Sequence, residues 1–422
     1  MEKLDNPAFI TNDAVIFGIL MLILATVFYT SGKKQGLWVK FYRYVPSVLI
    51  CYFVPALLNT FDIISGEHSG LYDMAANYLL PACLILLTLG IDIPGLKRLG
   101  PKAISIFFAG TVGIMIGGPI AFAFIARIFP DILLFGEEPT WKGFATIAGS
   151  WIGGGANQAA LLEVFGASKT LFAQMIAVDV LIANIWLGVL LYSVQHRDAI
   201  NRFLKADNSE IKALEQKLEI EAEKRNAKTI GLREWTITLG LAFGAVALSH
   251  ACADLLVPFF TTYFPGAAKY SLTSNFFWVV IIATTLGILL SFTKARQLEN
   301  SGASDMGSLF LYILVATIGM NMNLRAVLDN PKFFLVGALW ILIHITIMLI
   351  AGRIFRAPLF LIAVGSQANV GGAATAPIVA SAFNKFLAPV GVLLAVLGYA
   401  VGTYGGYLCG LFLQWISDTL LY

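Results

Sequence analysis

Four side-chain amides, two serines and a run of glycines stand inside otherwise apolar sequence at two places in this chain. The first stretch is Gly149-Ser-Trp-Ile-Gly-Gly-Gly-Ala-Asn-Gln158 and the second is Gly365-Ser-Gln-Ala-Asn-Val-Gly-Gly-Ala-Ala-Thr375. Gly153, Gly154 and Gly155, and later Gly371 and Gly372, let a helix break and turn. A break frees backbone N–H and C=O groups. Half-helix N-termini then offer a positive dipole end to a carboxylate, and freed carbonyls can take a cation. Ser150, Asn157, Gln158, Ser366, Gln367, Asn369 and Thr375 add hydroxyls and amides to the same places. Neither stretch holds a cationic side chain, so an anion would rest on backbone N–H groups and amides. The competing reading is tight helix packing through small residues. Glycines alone fit it, whereas two amides in each stretch do not.

Four further residues are candidates for a coupling ion. Asp179, in Ala177-Val-Asp-Val-Leu-Ile-Ala-Asn184, lies about ten residues into an apolar run. A carboxylate at that depth is costly unless it is neutral, paired or hydrated. It can release a proton, ligate Na⁺ or accept hydrogen bonds from a neighbouring segment. Asn184 stands five positions on. Asp92 and Asn321 occupy matching places, Thr88-Leu-Gly-Ile-Asp-Ile93 and Thr317-Ile-Gly-Met-Asn-Met322, where lining a site and capping a helix compete. His344 reads as a satisfied buried histidine, Glu163 as interfacial, and His250 with Asp254 as a structural polar pair.

These residues need a membrane frame to position them. The chain of 422 residues is 58% hydrophobic and 13% charged, against roughly a quarter charged for a soluble domain. Apolar runs near the ~20 residues that cross a bilayer recur from end to end. Spans are expected at 14–31, 44–60, 72–93, 102–128, 169–195, 234–258, 273–293, 307–323, 332–353 and 386–414, with interrupted segments at 141–165 and 358–383. The first span is read as retained, not as a signal peptide. The four cysteines fall in apolar segments with no paired spacing and read as small buried side chains. Trp38, Tyr42, Tyr44, Trp141 and Tyr270 read as interfacial anchors.

The expected fold is an all-α polytopic membrane protein of two repeats, 1–195 and 234–422, joined by a charged linker at 196–233. Within the linker, Glu210–Arg225 reads as a surface helix. The repeat signal is threefold: the Thr88 and Thr317 motifs, Pro101-Lys102 against Pro331-Lys332, and the two Gly-Ser stretches, all in one order. Lys33, Lys34, Lys40 and Arg43, and then Lys97, Arg98 and Lys102, place two loops in the cytoplasm. Asp131, Glu137 and Glu138 place loop 129–140 outside. A re-entrant hairpin at 141–165 then puts the linker in the cytoplasm and the N-terminus outside, and it leaves the two repeats inverted. Arg325 and Lys332 run against this arrangement, because it leaves them outside.

The GSWxGGxAN and SQANxGGxATAP signatures resemble the YjcL-like family of uncharacterised integral membrane proteins, over nearly the whole chain. That family is grouped with sodium/bile-acid symporters, sodium/glutamate and citrate symporters, and cation/proton antiporters. The resemblance implies a core domain holding both broken elements, an elevator-like step against a scaffold domain, coupling to Na⁺ or H⁺, and frequent homodimers. Cation/proton antiporters often carry a pair of acidic residues in the core helix after the first broken segment. Asp179 stands alone there, which disfavours antiport.

The expected function is secondary active transport of a small anionic or amino-acid-like solute, with monovalent cation/proton antiport as the alternative. A channel, a sensor and an intramembrane enzyme fit less well. No nucleotide-binding loop, His–Glu metal spacing or catalytic triad stands out, so the expectation is no enzyme and no cofactor beyond Na⁺ or H⁺, with a Na⁺ site near Asp179. Expected partners are the solute, the lipid bilayer and a second copy, without nucleic acid.

Overall fold

The computed structural model describes residues 8–33, 35–66, 69–207, 231–322 and 330–421. The surface helix expected at Glu210–Arg225 and the awkwardly charged Arg325 lie outside the described residues. The chain is mostly helical. Sixteen described helices carry the fold: α1 (Asp13–Ser31), α2 (Leu37–Tyr44), α3 (Ser47–Thr60), α4 (Leu71–Leu89), α5 (Ile93–Ile128), α6 (Trp141–Gly153), α7 (Gly155–Phe165), α8 (Lys169–Gln195), α9 (Arg197–Leu204), α10 (Leu232–Tyr263), α11 (Asn275–Ser291), α12 (Ala303–Gly319), α13 (Lys332–Ile354), α14 (Leu359–Val370), α15 (Gly372–Phe383) and α16 (Ala388–Leu421). Seven of them, α1, α4, α5, α8, α10, α13 and α16, are long and apolar enough to cross a bilayer unaided. The protein is a multi-pass membrane protein.

Local chemistry sets several boundaries. Asn12 starts α1 by accepting from the Ala14 and Val15 N–H groups, and Ser168 starts α8 by accepting from Leu171 N–H. The single span expected at 44–60 is instead two helices. Val45 is extended ahead of Pro46, as the residue before a proline prefers, and α2 leaves the line of α3. At 14 and 17 residues, α3 and α11 fall short of a full unaided span, as does α12, also 17 residues. The expected span at 102–128 begins earlier, at Ile93, and kinks at Gly100 ahead of Pro101.

Two groups of helices emerge from the packing. In one, α3 lies on α1 and α12, and α4 lies on α10, α11 and α12. Part of this group has its own apolar core, with Ala82, Ile85 and Leu86 of α4 against Ala242 and Val246 of α10 and Ala283 of α11. The other group contains α5–α8 and α13–α16, with α16 against α6 and α13 against α5 as its closest pairs. Fewer contacts join the groups, mainly α4 and α11 against α7 and α16.

Polar contacts sort the helix ends onto two faces. On one face, Lys332 pairs with Asp131 at 2.5 Å, Glu138 accepts from Ser168 N–H, and the Tyr407 hydroxyl donates to Tyr270 O. On the other, Asp92 pairs with Arg296, Lys102 with Asp207, Asp207 N–H donates to Arg356 O, and Asn201 accepts from Leu359 N–H. Lys332, whose charge ran against the expected arrangement, is thus offset by an acid on its own face. The start of the charged linker docks beside the basic residues Lys102 and Arg356.

Candidate functional site

Both interrupted segments turn back on themselves. Gly154 separates α6 from α7 with φ 83° and ψ −175°, a conformation open to glycine. After it the chain reverses. The Trp141 and Phe165 rings, at the two outer ends, meet edge to face at 5.3 Å, and Lys142 Nζ reaches Gly166 O. The second segment turns at Gly371 and Gly372, the latter with φ 58°. Its outer ends meet through Phe360 and Phe383 at 5.4 Å, and nearer the tip Gln367 Nε2 donates to Thr375 Oγ1 at 2.6 Å. Each segment is therefore a hairpin whose two ends share a face.

The two tips touch. A Cβ built on Gly372 would lie 3.8 Å from Gly154 Cα. The helix α16 records how the hairpins approach. Gly391 lies against Ala376 and Pro377 of the second hairpin, Gly398 against Ile152 O and Ala368 O near both tips, Gly402 against Gly153 and Asn157, Gly406 against Gly149, and Gly410 against Ala145 and Phe165. From Gly391 to Gly410 is about 28 Å of helix at ~1.5 Å per residue. The hairpins thus enter from opposite ends of α16 and meet beside its middle. Glycines spaced by four at 398, 402, 406 and 410 allow this, because a side chain at the first three would strike backbone and one at Gly410 would strike the Phe165 ring.

Each hairpin asparagine is fastened to a long helix in the same manner. Asn157 donates through Nδ2 to Gly153 O across the break and to Tyr399 O, and its Oδ1 accepts from Thr403 Oγ1 at 2.5 Å. Asn369 donates to Gly365 O and Phe107 O, and its Oδ1 accepts from Thr111 Oγ1 at 2.8 Å. In both cases the threonine lies four residues after the accepting carbonyl. Neither asparagine is exposed, and both polar atoms of each have protein partners. Expected as ligand contacts, both fasten their hairpins to long helices in this structure.

The paired serines face opposite chemistry. Ser150 donates to Asp179 Oδ2 at 2.6 Å, Gln158 Nε2 donates to the same oxygen at 3.1 Å, and Trp151 Nε1 donates to Oδ1 at 2.7 Å. Asp179 is 7% exposed, so three donors of one hairpin compensate a buried carboxylate. Ser366 sits between Trp186 Nε1, 2.9 Å away, and His344 Nε2, 2.8 Å away. His344 Nδ1 faces the Gly110 carbonyl at 3.1 Å. A carbonyl only accepts, so Nδ1 carries the proton and Nε2 receives the Ser366 hydroxyl.

The four coupling-ion candidates do not assemble. Asp92 pairs with Arg296 and Arg98 at its own face. Asn321 donates to Thr317 O, and Asn184 donates to Val180 O in its own helix. Among the described residues no group of three or more His, Cys, Asp and Glu is arranged for a metal ion. His250 bonds Asn77 O, while Asp254 is exposed. Glu163 pairs with Lys169, which also bonds Tyr72 of α4.

What stays open at the tips is small and polar. No side chain caps the first turn of α7 or α15. Gln367 Oε1 is buried without a hydrogen-bond partner. Gly154, Gly155, Gly371, Ala373 and Thr375 are partly exposed, while Ser150, Ser366 and the asparagines are sealed. Tyr399 of α16 and Leu311 of α12 lie against Gly154 and Gly155, so the first tip also faces the other helix group.

A family model described as "Protein of unknown function (DUF819)" matches residues 18–416, from inside α1 to near the end of α16. The chain belongs to the DUF819 family. The match spans both hairpins, both fasteners and the glycine-striped helix. A curated relative, "Uncharacterized membrane protein YjcL" of Bacillus subtilis (strain 168), is 26% identical over 365 residues, which cover 84% of this chain and 85% of the relative. Like that relative, by its description, this DUF819 chain is a membrane protein.

The helices that receive the asparagines had a sequence signal that the motifs overshadowed. Both threonines sit in Gly-Thr-x-Gly, Gly110-Thr-Val-Gly113 and Gly402-Thr-Tyr-Gly405. Trp151 and Trp186, which donate to Asp179 and Ser366, carried no periodic signal, since an indole in an apolar run reads as core.

Proposed function

We propose that this protein is a secondary active transporter for a small anionic or zwitterionic solute, bound where the two hairpin tips meet. The observation that carries this reading is the pair of hairpins entering from opposite ends of α16 and touching at Gly154 and Gly372. Backbone irregularity at membrane depth is sustained only where it is buried in protein or lines a watery cavity. The uncapped first turns of α7 and α15 aim N–H groups at the tips, which suits a carboxylate. The free Oε1 of Gln367 and the Thr375 hydroxyl add one acceptor and one adaptable group, which suits a solute that also bears an ammonium or hydroxyl. In this reading the two halves are inverted repeats, α5–α8 with α13–α16 form the moving core, and the remaining helices form the scaffold.

We take the coupling ion to be H⁺, acting at Asp179. All three partners of that carboxylate are donors, and N–H and O–H groups aimed at it leave little room for a cation. Protonation turns one acceptor oxygen into a donor and so reverses or weakens at least one bond to the first hairpin. Proton binding and hairpin position are thereby linked.

The test is a thermal-shift screen of purified protein against small carboxylates, amino acids and short acidic peptides, followed by uptake of each hit into proteoliposomes with Na⁺ and pH gradients imposed separately. Uptake driven by a pH gradient without Na⁺ is the expected result. Strict Na⁺ dependence would reject Asp179 as a proton carrier, and monovalent cation flux without any solute would replace symport with antiport.

A further inference from the structure

A groove of about 480 Å³ lies between α1, α2 and α3, and neither hairpin contributes to its walls. Leu22, Thr26 and Thr30 of α1, Trp38 and Tyr42 of α2 and Ile50 of α3 are among its lining residues. Its hydroxyls are turned onto protein partners: Thr26 donates to Leu22 O, and Thr30 donates to Thr26 O and lies 2.8 Å from the Tyr42 hydroxyl. The walls therefore offer hydrocarbon and aromatic surface. The Thr30–Tyr42 contact also fixes α2 against α1. On α2 itself, Leu37, Trp38 and Phe41 are exposed, as on a helix lying in the membrane interface.

The segment that joins α1 to α3 carries charge of one sign in its sequence. Residues 32–46 hold Lys33, Lys34, Lys40 and Arg43 and no acid. Lys33 and Lys40 are exposed, and Lys33 Nζ sits 4.0 Å from the Tyr29 ring centre while donating to its hydroxyl. An apolar slot next to a connecting segment that is basic and free of acids matches an amphiphile with an anionic head. A second copy of this chain matches it poorly, because two-fold pairing would set the basic segment against itself with no acid in it to answer.

We propose that this groove is a binding site for an anionic glycerophospholipid, with one acyl chain between α1, α2 and α3 and the phosphate beside Lys33 and Lys40. The site is separate from the hairpin tips and stands whether or not the chain is a transporter.

Native mass spectrometry of the intact protein in detergent tests it, with dioleoyl phosphatidylglycerol and dioleoyl phosphatidylcholine added together. With two basic residues beside a charged head, wild type should retain at least about tenfold more phosphatidylglycerol than phosphatidylcholine. Lys33→Gln with Lys40→Gln should remove that preference yet keep binding of both lipids. Thr26→Trp, or Leu22→Trp if the first variant melts early, should fill the groove and remove both. Equal retention of the two lipids by wild type, or an unchanged preference in the double lysine variant, would overturn the proposal. So would a groove-filling variant that splits a dimer while lipid retention stays constant, because the groove would then belong to a contact between copies.

Discussion

Asp179 spends every strong contact it makes on the first hairpin. Its two oxygens receive a hydroxyl, an indole N–H and an amide N–H, all from within Ser150–Gln158. An amide in its place would present an NH₂ group to at least one of those donors. Asp179→Asn should therefore lower gradient-driven uptake at least about tenfold, the loss expected when one buried donor is left unanswered at ~1.4 kcal/mol or more. Solute counterflow measured beside net uptake separates the causes. Counterflow retained with accumulation lost marks a coupling role, whereas loss of both with an early melt marks a structural one. The fasteners predict something different. Thr403→Val and Thr111→Val each leave a buried asparagine Oδ1 without its donor, so each should cost roughly 1–3 kcal/mol of stability. Thermal unfolding in detergent is the check, and melting curves that match wild type would mean the Asn–Thr bonds carry no weight. These roles were only half legible. The motifs pointed to residues that the structure brings together, because amides in an apolar run are conspicuous. Periodicity carries no information about which partner a side chain meets 246 or 258 positions away.

At the scale of elements, the hairpins depend on α16 as much as on their own glycines. A Cβ on Gly406 would come within 3.0 Å of Gly149 Cα, backbone that cannot step aside. Gly406→Val should push α6 away from α16 and cost about 1–3 kcal/mol, as overpacking does. Fluorescence-detected gel filtration after heating would report it, and unchanged survival would argue that the two helices are not held together by close approach. Most helix positions could be read from the chain, and 169–195 coincides with Lys169–Gln195. The break at Val45-Pro46 was missed because an apolar run looks continuous, although the proline carried the information.

At the scale of the whole molecule, the two helix groups meet across few polar bonds. Thr285 and the Tyr404 hydroxyl, 2.7 Å apart, and Thr284 with Thr403 link α11 to α16. If transport requires one group to slide past the other, Thr285→Cys with Tyr404→Cys, in a background lacking the four native cysteines, should lose uptake when bridged and regain it on reduction. Normal uptake by the bridged protein would sink the sliding step. At one face of helix ends, Lys332 holds the Asp131 carboxyl below its ordinary range through their hydrogen bond. A lowered value means that the stabilisation exists above the unfolded carboxyl's titration and fades as pH falls through the folded one. Lys332→Gln should therefore lower the melting temperature slightly at pH 7 and leave it unchanged in acid below that titration, and an equal effect at both values would show that the pair contributes no charge energy.

The helix that completes the polar centre follows everything it touches in chain order. When Gly149–Gln158 enters the bilayer during synthesis, the threonine that will bind Asn157 lies 246 residues ahead, still unmade. Until Ala388–Leu421 arrives, the first hairpin must wait with Asn157 Oδ1 unanswered and its glycine face against lipid or a temporary partner. Synthesis thus contains an interval in which a hairpin that later packs closely on α16 lacks that helix.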